Sequence, residues 1–421
     1  MNEKKRVSLS IVGFVLVAVV FIVAGVFGFR RVEAQASELS VSTAALSEAT
    51  PESVGLDGDR LMQIDRVVEE YMADGTFPGA VVGVIRDGKM VYRKCYGYRQ
   101  NVGDREPMTF DTRFDLASLT KPVAVATSVM QLVEQGKICL GDRVDKYIPN
   151  FRGWASEEVR DTVHIRVVDL LTHSSGLPPY VSPKKILEAN PEAQLPNPDV
   201  VLSHITRCDR WAVARTKCIY SCLNYIVLGR IVEIVSGMPI DKYAEENIFE
   251  PLHMTNTRYL PDAKYAQLCA PTEKSGKGAG VVNDPLSRDG MGGVSGNAGL
   301  FSTLDDLSIY VAMLLEKGSW QGVDILSPRG VNAIMTRPLG YEKFGRTIGW
   351  ENFAVCSQTG GDLFTGSTIG HTGATGTSIV IDPELDIAVI VLTNYVHSGK
   401  KRTLLDFRSK LSTVVAASVR W

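Results

Sequence analysis

An excess of charge of either sign is absent from this chain: over 421 residues, 45 Lys and Arg stand against 47 Asp and Glu, a formal net charge of −2. Without a basic surplus there is no electrostatic footprint for a phosphate backbone, so nucleic acid drops out as a partner class. Intrinsic disorder is excluded with it, because 45% hydrophobic and 22% charged residues are globular proportions. Cysteine is sparse. The seven residues (95, 139, 208, 218, 222, 269 and 356) are scattered and odd in number, unlike the dense disulfide framework of a small secreted domain. The 19 Pro and 38 Gly show no triplet period, which removes collagen-like and low-complexity readings. What remains is a folded protein of one large or two intimate domains.

Motifs that carry cofactors are missing as well. There is no GxSxG elbow, no GxGxxG after a strand and no HExxH, and the glycines from Gly361 to Gly366 are followed by Ser367 instead of a phosphate-binding Lys. His204, Cys208, Cys218 and Cys222 match none of the common zinc spacings. Packed thiols are the expectation there, with a Cys208–Cys218 disulfide as the alternative. The reading therefore names no cofactor and no metal.

One long apolar run is present. Val7 to Phe29 holds 23 residues without a charge, after Lys4, Lys5 and Arg6 and before Arg30 and Arg31. As a helix it would extend ~34 Å, enough for a hydrocarbon core of about 30 Å. Ala34-Gln35-Ala36 resembles a signal-peptidase site, but the run is longer than an ordinary signal-peptide core of about 7 to 15 residues, so an uncleaved signal anchor is preferred. The positive-inside rule puts the N-terminus in the cytoplasm and the body on the extracytoplasmic side. Residues 1–36 are read as anchor and juxtamembrane segment, 37–53 as a flexible linker rich in Ser, Ala, Thr and Glu, and 54–421 as the folded body.

The body reads as mixed α and β. Leu61, Ile64, Val67, Val68 and Tyr71 make a helical stripe; Ala80–Ile85 and Met90–Tyr96 flank Asp87-Gly88, a hairpin signal; Thr377–Ile381 and Ile387–Leu392 flank Asp382-Pro383-Glu384; and 404–417 closes as a helix. A hairpin and a helix at each end predict one antiparallel sheet assembled from both termini. Between them, helices are expected over 123–135, 167–171, 225–235 and 304–315, the last capped by Ser302 or Thr303.

Three SxxK pairs occur, Ser118/Lys121, Ser182/Lys185 and Ser398/Lys401. Three residues apart on a helix, a Lys amine can reach a Ser hydroxyl and, if burial holds it neutral, take its proton. Pro183 and the Gly-Lys-Lys-Arg segment mark the last two pairs as surface. Ser118 instead opens a long apolar helix, where N–H groups and the dipole favour a developing oxyanion; taken locally, an N-cap role serves equally well.

Tyr220-Ser221-Cys222 leads into a helix, and His371-Thr372-Gly373-Ala374 precedes the last hairpin. With SLTK, YSC and HTG in this order, and with LLTHSSGLP (170–178), GGVSGNAGLFST (292–303) and GHTGATGTSIVIDP (370–383) between them, the chain from about Thr50 onward resembles the serine β-lactamase and penicillin-binding protein superfamily. The branch is that of class C β-lactamase-like proteins, which includes DD-carboxypeptidases and esterases. The resemblance implies an α/β (α+β) fold, a five-stranded antiparallel sheet flanked by helices with a mainly helical second lobe. It implies Ser118 as acylated nucleophile, Lys121 as its proton partner, Tyr220 as proton shuttle, His371 and Thr372 on the substrate-binding strand, and the Ser118 and Ala374 N–H groups beside Gly373 as an oxyanion hole. Two positions depart from the pattern. Cys222 stands where Asn or Asp is common, and His371 replaces a Lys, exchanging a fixed cation for one that titrates near about pH 6.5. The implied function is acyl transfer, with cell-wall D-alanyl peptides first among substrates and small esters next; a catalytically silent binder of wall fragments or of a partner protein is the alternative.

Overall fold

The computed structural model describes residues 46–153, 163–353, 359–399 and 404–420. The expected anchor lies outside the described residues. So does the first part of the expected linker, but its last part is a correction: Leu46 is buried, Met90 exchanges backbone hydrogen bonds with Ser47 and Ala49, and Pro51–Val54 forms a 3-10 turn. An apolar side chain and an unpaired strand edge bind this segment to the body, so the fold begins before residue 54. From Ala45 onward the chain is one compact unit.

The body is organised on an antiparallel sheet. Its long strands are β1 (Gly79–Arg86), β2 (Lys89–Gln100), β3 (Ile369–Thr372), β4 (Thr377–Asp382) and β5 (Ile387–Thr393). From edge to edge the order is Glu106–Pro107, β2, β1, β5, β4, β3 and Glu351–Asn352, so the sheet has seven strands where five were expected. The two extra strands are two-residue edge pairings whose length leaves no alternation to detect. β1 pairs with β5 from Ala80↔Thr393 to Arg86↔Ile387, joining the two ends of the chain as the hairpins predicted. The β1–β2 turn works as its sequence demands, with Asp87 at φ 50° and Gly88 at φ 66°.

Helices cover both faces, which is why β4 and β5 are buried at every residue and read as continuous apolar runs. On one face α1 (Gln63–Ala73) buries Ile64, Val67, Val68 and Tyr71, and α5 (Leu405–Ala417) lays Phe407 against Tyr71 and Phe77 at 5.2 and 4.9 Å between ring centroids. On the other face lie α2 (Thr127–Glu134), α3 (Cys222–Ser236) and α4 (Leu304–Leu315), capped by Thr303. Gly83 lets α4 sit close to the sheet, since a Cβ there would come within 2.6 Å of Leu304. The helix expected over 123–135 has a widened start: a π turn spans Lys121–Ala126, because Pro122 supplies no N–H and the Thr127 hydroxyl instead closes on the Pro122 carbonyl at 3.0 Å. Cys208 and Cys218 are both free, which sets aside the disulfide, and Cys218 is exposed, against the expectation of packed thiols in that cluster.

Candidate active site

Ser118 is the middle residue of a single 3-10 turn, Ala117–Leu119, that leads into the π turn and α2. Ala117 is in the left-handed region at φ 46°, an uncommon conformation for a residue with a side chain. Asp115 holds it there. Its carboxylate accepts the Ala117 N–H at 2.8 Å and the Asn283 N–H at 2.7 Å. Burial pushes this carboxyl up to about 6, outweighing the two N–H donors that favour its ionised form.

Lys121 is fully buried and donates to the Ser118 Oγ and to the Asn297 carbonyl, each at 2.9 Å. Burial works against its charge, but the facing Cys222 and Tyr220 groups and the Asp284 carboxylate outweigh it, and its pKa is moved upward. This direction runs against the condition under which Lys121 would take the serine proton, that burial hold it neutral. Desolvation is the largest single influence, yet polar groups surround the amine and their sum prevails, so Lys121 is an ammonium that orients Ser118. Asn297 is itself fixed, taking a hydrogen bond from Ser295 Oγ at 2.7 Å and donating to Asp284 at 3.1 Å.

Tyr220 lies between four groups. Its ring is 4.4 Å from the His173 ring and 6.0 Å from that of His371, with Lys121 Nζ at 5.2 Å and the Arg346 guanidinium at 5.5 Å from its centroid. Cys222, the first residue of α3, is half-buried and interacts electrostatically with Lys121, so it belongs to the cleft.

His371 departs from expectation in its charge. It is buried, and desolvation followed by the charges of Lys121 and Arg346 drives its pKa well below the usual imidazole range, so it does not titrate near 6.5. Its Nδ1–H donates to the Thr372 carbonyl at 3.0 Å, which leaves Nε2 as a bare acceptor with no partner among the described residues. The turn that follows is fastened to the nucleophile's own segment. Thr375 Oγ donates to the Asp115 carbonyl at 2.6 Å, and Thr377 Oγ to that of Leu116 at 3.1 Å.

Ser118, Tyr220, Thr372, Gly373 and Ala374 thus line one pocket of about 280 Å³ together with Tyr395, Leu404 and Arg408. A larger cavity of about 690 Å³ runs between helix Pro198–Arg207, α3 and the 291–296 loop, but none of Ser118, Lys121, Tyr220 or His371 lines it. The residues expected at the site, Lys121, Cys222 and His371 included, are gathered at or beside the smaller pocket. His173, Asn297, Arg346 and Arg408 were missed. His173 and Asn297 fall inside the two linking motifs, so position could have drawn attention to them; Arg346 and Arg408 carry no local signal.

Residues 64–412 match the family model described as Beta-lactamase. A protein of Escherichia coli (strain K12) named "Putative D-alanyl-D-alanine carboxypeptidase" is 34% identical over 388 residues, covering 85% of this chain and 88% of that one. A Bacillus subtilis (strain 168) protein named "N-acetylmuramyl-L-alanine amidase" is 32% identical over 367 residues, covering 80% and 82%. Among solved structures, "A class C beta-lactamase" superposes with a TM-score of 0.66 at 20% identity, over 87% of this chain and 98% of the other.

Proposed function

As this chain belongs to the Beta-lactamase family and is a serine hydrolase, we propose that it acts on D-alanyl peptides of the cell wall, removing a C-terminal residue through an acyl-Ser118 intermediate. The observation that carries the proposal is the Lys121–Ser118 contact at 2.9 Å inside a pocket shared with Tyr220 and the Ala374 turn. Ser118 Oγ attacks the carbonyl carbon as its proton passes to Tyr220, which enters the cycle as the phenolate and becomes the neutral phenol, and the charge on the carbonyl oxygen is received by the N–H groups of Ser118 and Ala374. Tyr220 then protonates the leaving amine as the C–N bond breaks, and activates a water that releases the acyl group. Lys121, as an ammonium, fixes Oγ and offsets the negative charge of the Tyr220 phenolate before it takes the proton. His371 Nε2, a neutral acceptor, is placed beside that proton path.

The wall substrate accords with the names of the two curated relatives and with the apolar run at 7–29, by which the body is anchored on the outer face of the cytoplasmic membrane. Small esters are the second reading, favoured by one observation: the third motif offers an uncharged imidazole where a cation would grip a substrate carboxylate. The test is incubation of the purified full chain with a D-alanyl-D-alanine peptide, a fluorescent penicillin and a short-chain aryl ester, with mass spectrometry of the labelled residue. Release of D-alanine and a label on Ser118 support the proposal; ester turnover without D-alanine release overturns the peptide assignment. A chain that leaves the membrane fraction in a high-salt wash, or whose mature N-terminus is Ser37, overturns the anchor.

A further inference from the structure

The Gly373–Ala374 peptide group has two ends with different duties. Its N–H, on Ala374, has no acceptor among the described residues and lies at the pocket that Ser118 lines. Its C=O, on Gly373, accepts the Gly376 N–H at 3.1 Å and also Nη2 of Arg408 at 3.2 Å. The same Nη2 donates to the Thr377 carbonyl at 2.9 Å, which in turn accepts the Gly373 N–H at 2.8 Å. One guanidinium from α5 therefore spans both strands of the turn.

We propose that Arg408 is a positioning residue of the oxyanion hole, aligning and polarising the peptide group whose N–H receives the developing charge. This rests on the Ser118/Ala374 assignment above and deepens it.

Two physical effects act together. A hydrogen bond from a charged donor is shorter and stronger than a neutral one, so the carbonyl is fixed in direction and the N–H with it. Pulling electron density toward the carbonyl oxygen also makes the N–H on the same amide a better donor, the cooperativity of a hydrogen-bonded chain. No ion pair competes for the cation, since Arg408 has no acidic partner among the described residues and its Nε is buried without an acceptor. Maintaining a desolvated charge against carbonyls and the neighbouring Tyr395, without a carboxylate among the described residues, is expensive for the fold. Burial lowers its pKa to about 10, which still leaves it charged at neutral pH.

The experiment uses the full chain with Arg408→Met and Arg408→Lys, a neutral aryl ester, a D-alanyl-D-alanine peptide and an aryl boronic acid, whose tetrahedral adduct on Ser118 places an oxygen in the hole. Removing an oxyanion donor outright costs about 100- to 1,000-fold, and here the donor remains but is loosened, so Arg408→Met should lower kcat for the ester about 10-fold. KM should stay within about 2-fold, because the lost interaction belongs to the transition state. Boronate affinity should weaken by the same factor as kcat, Arg408→Lys should fall between, and added guanidinium should restore part of the rate to Arg408→Met. Active-site titration with the fluorescent penicillin separates this from loss of folded enzyme. An unchanged kcat overturns the inference; so does a fall accounted for by fewer titratable sites, or a KM rise confined to the peptide, which would make Arg408 a carboxylate receptor. Failure of the peptide reading is distinct, since it shows as a wild type that hydrolyses the ester and releases no D-alanine. A wild type inert toward ester, peptide and boronate overturns both.

Discussion

Substituting His173 tests how the second motif is held. The Nδ1 of this buried ring accepts the Ser221 N–H at 3.0 Å and the Asn224 side-chain amide at 3.2 Å, and its face supports Tyr220. A backbone N–H can only donate, so Nδ1 carries no proton. Protonation would set an N–H against two donors, and burial together with the charges of Arg346 and Lys121 and the nearby His371 drives the pKa well below its usual range. The sign follows from linkage. In the unfolded chain His titrates near about 6.5. Above that value both states are neutral; below it the unfolded chain takes a proton that the fold refuses, so stability falls as pH falls, by about 1.4 kcal/mol per unit. Between about pH 7.5 and 5.5 the loss through His173 is about 1.4 kcal/mol, because only the part below about 6.5 counts. His173→Gln keeps one acceptor and gives up the other hydrogen bond and the ring packing, costing about 3 kcal/mol at about pH 7.5. At about pH 5.5 the variant should trail the wild type by only about 1.5 kcal/mol, since it no longer carries the penalty. Urea unfolding of both proteins at both pH values measures this directly. The contribution of His371, of the same sign, and those of Asp115 and Asp306, of the opposite sign, are present in both proteins and drop out of the comparison. A gap between the two proteins that is equal at both pH values would refute the neutral, doubly accepting His173.

Ser118→Ala should abolish labelling and turnover, whereas Ser182→Ala should retain both and lose about 1 kcal/mol of stability, because Ser182 caps a helix through the Lys185 N–H at 3.3 Å; activity surviving in Ser118→Ala would end the mechanism. Gly296→Ala should lower kcat/KM at least about 10-fold, since its Cβ would overlap the Tyr225 carbonyl and displace the neighbouring Asn297 from Lys121, while Gly141→Ala, with open space around it, should behave as wild type. Cys222→Asn supplies an oriented amide beside Lys121 and should raise kcat/KM for a D-alanyl-D-alanine peptide several-fold with less than about 2-fold change for an aryl ester, the reverse order placing the thiol outside the substrate's reach.

Local chemistry carried most of the frame. Asp87-Gly88 requires positive φ and received it, and the helix expected at 304–315 begins and ends at those residues with Thr303 as its cap. The motif residues were legible because each one follows or precedes an element whose start is written nearby. Other features depend on distance along the chain. Asn297 reaches Lys121 across 176 positions, His173 reaches Ser221 across 48 and Arg408 reaches Gly373 across 35. No periodicity records such pairings. The protonation states were hidden for a related reason: residue types alone left Lys121 neutral only on the condition that burial held it so and suggested a titrating His371, but the surroundings that decide both are assembled only by the fold.

Those protonation states have a common origin. Lys121, Arg346 and Arg408 bring three cations around one small pocket; among the described ion pairs only Arg346 makes one, with Glu351 at 3.8 Å, while Asp284 acts on Lys121 without pairing to it. Burial, with their fields added, disfavours a proton on His371 and His173, so neither imidazole serves as a further cation or as a proton source. The fixed charges of Lys121, Arg346 and Arg408 around the pocket are then positive. In the proposed acyl transfer negative charge develops on the carbonyl oxygen near the Ala374 N–H, while a Tyr220 phenolate gives up its charge as it takes the serine proton and regains it when it protonates the leaving amine. Lys121 and Arg346 flank the Tyr220 ring while Arg408 stands behind the Gly373 carbonyl. Fixed charges at these positions need no rearrangement as the transition state forms. On the proposed mechanism the departures at Cys222 and His371 touch substrate holding and not these charges, since neither residue supplies a cation to the pocket.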